Sequence, residues 1–267
     1  MKVLGINLSH NASISVVENG ELLLSLEQER VSKRKKDNQI DIVCQGLKDT
    51  HFDIIGFTSY NMVNENVEGY THLVKACLKK YNITCDKLMP YDEHHLTHCY
   101  SSFYNSGFEE AICLVIDNGG TNYTIDKVEL GKENISIYKM SYTKEPRLLF
   151  KLCRDWLGRD ISVGDYHTYN CMSPAGVFEM YKEVLGFKEP GSIMGLSSYG
   201  KPNVEIPKLY DESSLFCKLN VCFNDVILRR KNFHPKGVVP DEDFAYRIQT
   251  DATEVVKKYI QSIEEAK

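Results

Sequence analysis

The chain has 267 residues, a length that suits one large domain or two lobes. Charged residues make up 26% of it and its formal net charge is −5, so no broad basic surface indicates nucleic-acid binding, although a local basic groove stays open. No apolar run approaches the length of a transmembrane helix. The nine cysteines contain no C-x-x-C pair, which argues against a zinc knuckle or a redox motif. Their odd number and the lack of a secretory signal predict a reducing, cytoplasmic location.

The chain opens with a predicted set of three antiparallel strands. Lys2–Leu8 is an apolar strand that runs into the polar segment Ser9–Asn11. Ala12–Glu18 and Glu21–Glu27 follow, and Asn19-Gly20 joins them. An Asn-Gly pair between two apolar runs is the strongest short signal for a β-hairpin.

A charged segment, Gln28–Asn38, comes next and includes Arg30, Lys33, Arg34, Lys35 and Lys36. Such a run is usually a solvated face, and a segment that faces an anion is the alternative. Ile40–Leu47 is a predicted helix, Phe52–Ser59 a predicted strand and Lys87–Pro90 a short strand. Between the last two, apolar residues at helical spacing predict an amphipathic helix: Val67, Tyr70, Val74, Cys77, Leu78 and Tyr81.

The segment Tyr91–Phe103 carries the first candidate metal ligands. His94 and His98 are four residues apart, so in a helix they lie one turn apart on one face. Two imidazoles at that spacing can share a metal ion, although most such pairs do not. His95 points about a quarter-turn away and is predicted to support the site or to face the substrate.

A run of five apolar residues, 112–116, leads directly into Asp117. This pattern predicts a buried strand that delivers a carboxylate at its carboxyl end, followed by a turn of Asn118, Gly119 and Gly120. Turns of this kind let the backbone approach a phosphate. His94, His98 and Asp117 therefore form a possible set of three metal ligands.

The remaining segments repeat the opening pattern. Three further strands are predicted at Ala111–Asp117, Tyr123–Leu130 and Ile135–Tyr142, and helices at Arg147–Leu157 and Pro174–Phe187. Gly191–Gly200 is a glycine-bounded segment that could start a helix or cover a ligand. Leu219–Arg229 is a predicted strand pair or extended loop. Pro235–Pro240 is a predicted linker, and Phe244–Ile263 is a final amphipathic helix. The element order is typical of the α/β actin-like ATPase and sugar-kinase fold, with a first lobe at 1–110 and a partial second lobe at 111–267.

Three blocks of the sequence, in the same order, resemble the O-carbamoyltransferases of the nodulation-protein-U and antibiotic-tailoring type. The blocks are VLGINLSHNASISVVENGELLLSLEQERVSKRKKD near the start, EHHLTHCYSSFYNSGFEEAICLVIDNGG in the middle, and GSIMGLSSYGKP at 191–202. The resemblance covers nearly all of this chain but only the first half of a typical family member. Family members continue with a G-G-x-A-L-N turn, a further acidic metal ligand and a nucleotide-handling domain.

The resemblance implies carbamoyl transfer from carbamoyl-adenylate, made elsewhere from carbamoyl phosphate and ATP, to a hydroxyl of an acceptor. His94, His98 and Asp117 match the family's metal ligands, and the missing half would supply another Asp. Iron, zinc or manganese suits such ligands. Sugars, aminoglycosides, beta-lactam precursors and hydroxymethylated bases are all candidate acceptors, so a modified nucleic acid is included.

Other matched positions have implied roles in binding or catalysis. His10 is the candidate general base, because a neutral imidazole can accept the proton of a hydroxyl; a loop histidine that caps the turn is the alternative. Asn118, Gly119, Gly120 and Gly195 are candidate donor-binding residues, and Arg30 and Lys33 are candidate anion contacts. Two positions depart from the family pattern. Asn11 stands where the family usually has Asp, and Ser192 where it often has Lys.

The second lobe lacks the strands and helices that would complete it, and the apolar stripe of Phe244–Ile263 has no evident partner in the sequence. Either the sequence is truncated or another chain supplies the rest, and we expect a second chain that carries the C-terminal half. The alternatives are a non-catalytic scaffold of the same fold that binds nucleotide or a partner, and an actin-like ATPase or kinase. The His-x-x-x-His helix and the lack of a second complete phosphate loop argue against the latter.

Overall fold

A computed structural model describes residues 1–9, 11–59, 67–125, 128–154, 162–163, 165–169, 173–206, 208–210 and 239–265. The chain divides into two compact units, Met1–Thr97 and His98–Lys267. The division falls inside one continuous helix, His94–Tyr104, whereas the lobe boundary predicted from the strand order lies between residues 110 and 111.

The first unit is built on a five-stranded mixed sheet. Its strands are β1 (Lys2–Asn7), β2 (Ser13–Glu18), β3 (Glu21–Glu27), β4 (His51–Thr58) and β5 (Thr84–Pro90), in the order β3-β2-β1-β4-β5. The first three are antiparallel, and β4 pairs in parallel with both β1 and β5. Asn19 and Gly20 have φ of 52° and 88°, the left-handed conformation that a tight hairpin turn needs, so the predicted hairpin is confirmed.

Three helices complete this unit: α1 (Gln28–Ser32), α2 (Asp41–Gln45) and α3 (Val67–Lys80). The predicted amphipathic helix is confirmed, because α3 turns Val74 and Leu78 into the core. That core also contains Leu4, Ile14, Phe52, Ile55 and Phe57 from the sheet.

The second unit holds the part of α4 (His94–Tyr104) from His98 onward, and a six-stranded sheet. Its strands are β6 (Glu110–Ile116), β7 (Asn122–Ile125), β8 (Val128–Ser141), β9 (Arg147–Arg154), β10 (Ser162–Val163) and β11 (Tyr166–Tyr169), in the order β10-β11-β9-β8-β6, with β7 paired to β8. Strands β6, β8 and β9 are antiparallel neighbours, so they repeat the arrangement of β1, β2 and β3.

Two predictions in this region are wrong. The helix expected at Arg147–Leu157 is instead strand β9 over Arg147–Arg154, because pairing with β8 on one side and β11 on the other overrides the local pattern. The strands expected at Tyr123–Leu130 and Ile135–Tyr142 have other bounds in the structure, where β7 is shorter and β8 longer than predicted.

In the described part of the second unit, three helices pack on the sheet: α5 (Pro174–Val184), α6 (Gly191–Ser197) and α7 (Asp241–Glu265). The expectation that the apolar stripe of the last helix has no partner in this chain is wrong. Its stripe is buried against Ile135, Leu152, Val177, Tyr181 and Ile193; the buried residues of α7 are Phe244, Ala245, Ile248, Ala252, Val255 and Tyr259. Each large apolar side chain buried this way contributes about 1.5–3 kcal/mol.

Two buried carboxylates of α7 hold the segment that follows α6. Asp243 accepts hydrogen bonds from the amide of Lys201 at 2.9 Å and from the side chain of Asn203 at 3.2 Å. Asp251 accepts one from the amide of Leu209 at 2.7 Å. These bonds satisfy backbone groups in a segment that has no ladder of its own.

The α/β fold of actin-like type, predicted from the element order, is confirmed in the described residues. The predicted strand pair at 219–229 lies outside them, as does most of the predicted linker at 235–240. Among the helices in the described ranges, none combines the length and apolar character that a membrane span requires.

Gly200 allows the closest backbone approach in the second unit. A Cβ at this position would overlap the carbonyl oxygen of Glu242 and lie 2.8 Å from Cβ of Tyr246. We expect Gly200→Ala to lower the free energy of unfolding by about 1–3 kcal/mol, because α7 would have to shift. Thermal or urea unfolding followed by circular dichroism measures this change.

Gly195→Ala is the matched control, since a Cβ there meets no atom within 4 Å. Gly195 lies inside α6, where alanine is more stable than glycine by about 0.5–1 kcal/mol. Equal stabilities of the two variants would contradict the close packing of α6 and α7.

Candidate metal centre

Helix α4 presents two histidines on one face. His94 begins the helix and His98 lies one turn later, so helical geometry sets their spacing. The backbone carbonyls of both histidines accept hydrogen bonds from hydroxyl groups of the same helix. Thr97 Oγ1 donates to the carbonyl oxygen of His94 at 2.5 Å, and Ser102 Oγ donates to that of His98 at 2.9 Å. His94 is half-buried and His98 exposed, so solvent reaches both.

The neighbouring His95 has a different environment. It is fully buried, and its ring lies 5.9 Å from that of His94, measured between centroids. A side chain with no exposed surface does not face a substrate, so of the two roles predicted for His95 only the supporting one fits.

Asp117 follows β6 and is held by both its backbone and its side chain. Its amide donates to the carbonyl oxygen of Asn134 at 2.8 Å, and its own carbonyl accepts from Ser173 Oγ at 2.5 Å. Oδ1 accepts from the amide of Asn118 at 2.6 Å. The second carboxylate oxygen, Oδ2, lies 4.0 Å from Nε2 of His98. The backbone of the strand end therefore fixes where this carboxylate points.

The three predicted ligands come together. One potential ligand atom from each of His94, His98 and Asp117 lies within 4.8 Å of the other two. Ligand atoms that share an ion at bond lengths of about 2.0–2.2 Å lie roughly 3–4.4 Å apart, so the separation of 4.0 Å between His98 and Asp117 fits a common ion. Two imidazoles and a carboxylate suit iron, zinc or manganese.

Cys99, beside His98 in sequence, is fully buried, and it is not in the group of ligand atoms that His94, His98 and Asp117 form. Burial, and secondly the neighbouring Cys113, raise the pKa of the Cys99 thiol to about 12.

The turn after Asp117 is tied to the next strand by hydrogen bonds. Asn118 is exposed and Gly119 and Gly120 are buried. The amide of Gly120 donates to the carbonyl oxygen of Glu133 at 2.8 Å, and the amide of Thr121 donates to Glu133 Oε1 at 3.1 Å. Of the amides predicted to face a donor phosphate, those of Asn118 and Gly120 are thus already engaged within the protein.

Sequence reasoning missed a buried ion pair beneath this turn. Lys151 Nζ donates to Glu133 Oε2 at 2.5 Å, and the two side chains are 1% and 0% exposed. The ammonium group also lies 3.8 Å from the ring centroid of Tyr123, a cation–π contact. A lysine inside the apolar run LLFKLC was the signal, because lysine is almost never fully buried unless it is paired.

The predicted anion contacts of the first unit have other surroundings. Arg30 is exposed and pairs with Glu27 at 3.1 Å and with Glu29 at 3.9 Å. Lys33 is exposed and ends α1 in the left-handed conformation, with φ of 59°. Gly195, the remaining candidate donor-binding residue, is exposed on α6.

The loop that carries the candidate base lies partly outside the described residues. His10 is not among them, but its neighbour Asn11 is, with φ of 64°. Asn11 Nδ2 donates to Glu29 Oε2 at 3.0 Å. A carboxylate therefore stands beside this loop even though Asn11 has replaced the family's Asp.

A cavity of about 760 Å³ opens in the first unit beside this loop. It lies beyond the carboxyl ends of β1 and β4, where open α/β sheets commonly bind ligands. Its lining combines hydroxyl, amide and charged groups with one face of α3: Leu8, Ser9, Lys36, Asn38, Gln39, Ile40, Asp41, Ser59, Tyr70, Leu73, Ala76, Cys77 and Lys80.

Comparisons with known proteins give fold-level likenesses and one relative. No protein-family model matches the chain. Uncharacterized protein MJ1051 of Methanocaldococcus jannaschii is 25% identical over 205 residues, which are 74% of this chain and 33% of that protein. The chain thus spans about a third of the length of the curated relative it matches.

Two solved structures are similar to parts of the chain. YeaZ from Pseudomonas aeruginosa aligns with 55% of this chain and 63% of its own, at 15% identity and a TM-score of 0.31. A protein with similarity to peptidase YEAZ from Pseudomonas aeruginosa aligns with 61% of this chain and 69% of its own, at 14% identity and a TM-score of 0.34.

His98→Ala tests the candidate metal centre directly. Because it removes one of three ligands, we expect the affinity for Co²⁺ or Zn²⁺ to fall at least 100-fold. A change to a residue that merely supports a ligand lowers metal affinity roughly 10–100-fold, and loss of a ligand itself should cost at least the upper end of that range. Titration followed by the visible absorption of Co²⁺ measures this. His72→Ala is the control, since His72 is an exposed histidine of α3 that lies 3.8 Å from Glu68. Undiminished binding by His98→Ala would contradict the assignment.

Proposed function

We propose that the chain is the actin-like part of an O-carbamoyltransferase, which passes the carbamoyl group of carbamoyl-adenylate to an acceptor hydroxyl in the cytoplasm. The observation that carries the proposal is the convergence of His94, His98 and Asp117 within 4.8 Å, because these are the positions that match the metal ligands of the resembled family. The resemblance of three sequence blocks supplies the reaction type.

The transfer requires one bond to form and one to break. The acceptor oxygen attacks the carbamoyl carbon, the bond from that carbon to the phosphate oxygen breaks, and AMP leaves. His10 accepts the hydroxyl proton as general base. The carbonyl of a carbamoyl group is a poor electrophile, since nitrogen donates electrons into it, so stabilisation of the developing negative charge is the main catalytic requirement.

Helix α4 and the end of β6 would meet this requirement. His94, His98 and Asp117 would hold a first-row transition metal ion, which supplies Lewis-acid polarisation and binds donor phosphate when present. The exposed side chain of Asn118 is the part of the turn best placed to contact the donor, because Gly119 and Gly120 are buried and the amides of Asn118 and Gly120 are engaged. Arg30 has less support as an anion contact, since two carboxylates already pair with it.

The acceptor would bind in the cavity of the first unit. Ser9, the neighbour of His10 in sequence, lines this cavity, and its volume of about 760 Å³ is in the range of small-molecule sites. Hydroxyl and amide groups of Ser9, Asn38, Gln39 and Ser59 suit a polyhydroxylated ring, and Tyr70 and Leu73 offer an apolar wall.

A second polypeptide segment would complete the second unit. In the first unit, β1 is flanked by β2 and by the parallel strand β4. The corresponding β6 pairs with β8 alone in the described part of the chain, and its five apolar residues stay half-buried. A strand from the family's C-terminal half would cover them, and the relative's greater length supports such a segment.

Reconstitution tests the proposed function. We expect no transfer by the chain alone, and transfer when a polypeptide carrying the family's C-terminal half, ATP, carbamoyl phosphate and a panel of hydroxyl acceptors are added. Mass spectrometry detects a mass gain of one carbamoyl group on the acceptor. Full-rate transfer by the isolated chain would contradict the need for a partner, whereas metal and nucleotide binding without any transfer would favour the non-catalytic scaffold.

His10→Ala tests the general base in the reconstituted system. We expect the transfer rate to fall roughly 100-fold or more while donor binding is kept, because general-base catalysis contributes about 10²–10⁴-fold. His72→Ala is again the matched control, since this exposed side chain does not line the cavity. An unchanged rate in His10→Ala would mean that His10 only shapes the turn.

A further inference from the structure

We propose that the buried pair Glu133–Lys151 is a positioning element for the candidate metal centre, an inference that rests on the function proposed above. Glu133 and Lys151 are not members of the group that the three candidate ligands form. Glu133 acts on them through the turn 117–121, and Lys151 holds the carboxylate of Glu133 in the orientation that this requires.

Stability alone does not account for such a pair. Removing two charges from water costs several kcal/mol per ion, and well-packed apolar residues of the same size are often at least as stabilising. Here both charges are completely buried, at 0% and 1% exposure. A costly feature that is hydrogen-bonded to the turn after a candidate ligand is typical of a functional constraint.

The two carboxylate oxygens of Glu133 have separate partners. Oε2 accepts from Lys151 Nζ, and Oε1 accepts from the amide of Thr121 at 3.1 Å. The backbone of Glu133 adds two more bonds to the turn, since its amide donates to the carbonyl of Thr121 at 3.0 Å and its carbonyl accepts from the amide of Gly120 at 2.8 Å. Glu133 therefore holds the far end of the turn.

The next residue holds the near end. Asn134 is 2% exposed, and its carbonyl accepts from the amide of the ligand Asp117 at 2.8 Å. Its side-chain Nδ2 donates to the carbonyl of Asn118 at 2.7 Å and, more weakly, to that of Asp117 at 3.4 Å. Residues 133 and 134 thus hold the turn at both ends, and a shift of Glu133 is transmitted to Asp117.

A pair of charge-free double variants separates positioning from stability. Glu133→Gln/Lys151→Met keeps an oxygen that accepts from the amide of Thr121, whereas Glu133→Leu/Lys151→Met has nearly the same volume but no acceptor. Both remove the buried charges together, so neither leaves one charge without its partner. The single relevant difference is the hydrogen bond to the turn.

Metal affinity is the first measurement, made on the full chain by Co²⁺ titration with visible absorption. We expect the Gln/Met protein to bind within about 3-fold of the unaltered protein. We expect the Leu/Met protein to bind roughly 10–100-fold more weakly, the loss typical when a group that orients a metal ligand is removed, with altered absorption bands. Metal-free thermal unfolding reports stability separately, and Glu110→Gln/Lys139→Met, at an exposed pair 3.4 Å apart, is the surface control.

Equal affinities of the Gln/Met and Leu/Met proteins, whether high or low, would overturn the inference. If the Leu/Met protein does not fold, Thr121→Pro deletes the same donor from the other side of the bond and leaves the buried pair intact; an unchanged affinity there would also overturn it. Failure of the unaltered protein to bind Co²⁺ is a different result, which would remove the metal centre of the proposed function and the positioning role with it.

Discussion

The register of β6 against β8 is the constraint on which the candidate site depends. Ile116, the last residue of β6, pairs with Ile135, and the ladder runs from there to Glu110 opposite Ser141. Side chains alternate between the faces of a sheet, so a slip of one residue would turn Asp117 away from the histidines and move Asn134 away from its amide. The backbone pairing of β6 and β8 thereby fixes the position of the Asp117 carboxylate, although Asp117 belongs to neither strand.

The two units share one arrangement of strands but carry different polar side chains at the end of the first strand. Each begins with three antiparallel strands, and each places a polar side chain at the carboxyl end of the first strand, Asn7 in β1 and Asp117 after β6. Asn7 Oδ1 accepts from the amide and the hydroxyl of Ser9, which folds the loop towards Asn11. Asp117 uses one oxygen in the same way, and its other oxygen lies 4.0 Å from Nε2 of His98. One strand pattern therefore yields a polar loop in one unit and a candidate metal ligand in the other.

Short sequence motifs predicted the features that depend on residues close together in sequence. Asn19-Gly20 specifies its hairpin through backbone conformation, and the spacing of His94 and His98 specifies one helical face, so both could be predicted. Contacts between distant segments could not. Ser173 meets Asp117 across 56 residues and Lys151 meets Glu133 across 18, and no short motif encodes either meeting. The misassigned β9 has the same origin, because its neighbours β8 and β11, rather than its own propensity, make it a strand.

Ser173 links the strand end to the helical layer through a single hydroxyl group. Its oxygen accepts from the amide of Gly176 and so caps α5, while its hydrogen goes to the carbonyl of Asp117. A hydroxyl group has one hydrogen and two lone pairs, so both bonds can exist at once. Helix α5 packs in turn on α7 through Tyr181 and Phe244. Order at the carboxylate and order in the helices are therefore thermodynamically linked, and an ion that binds Asp117 only in the folded protein would stabilise the second unit as a whole.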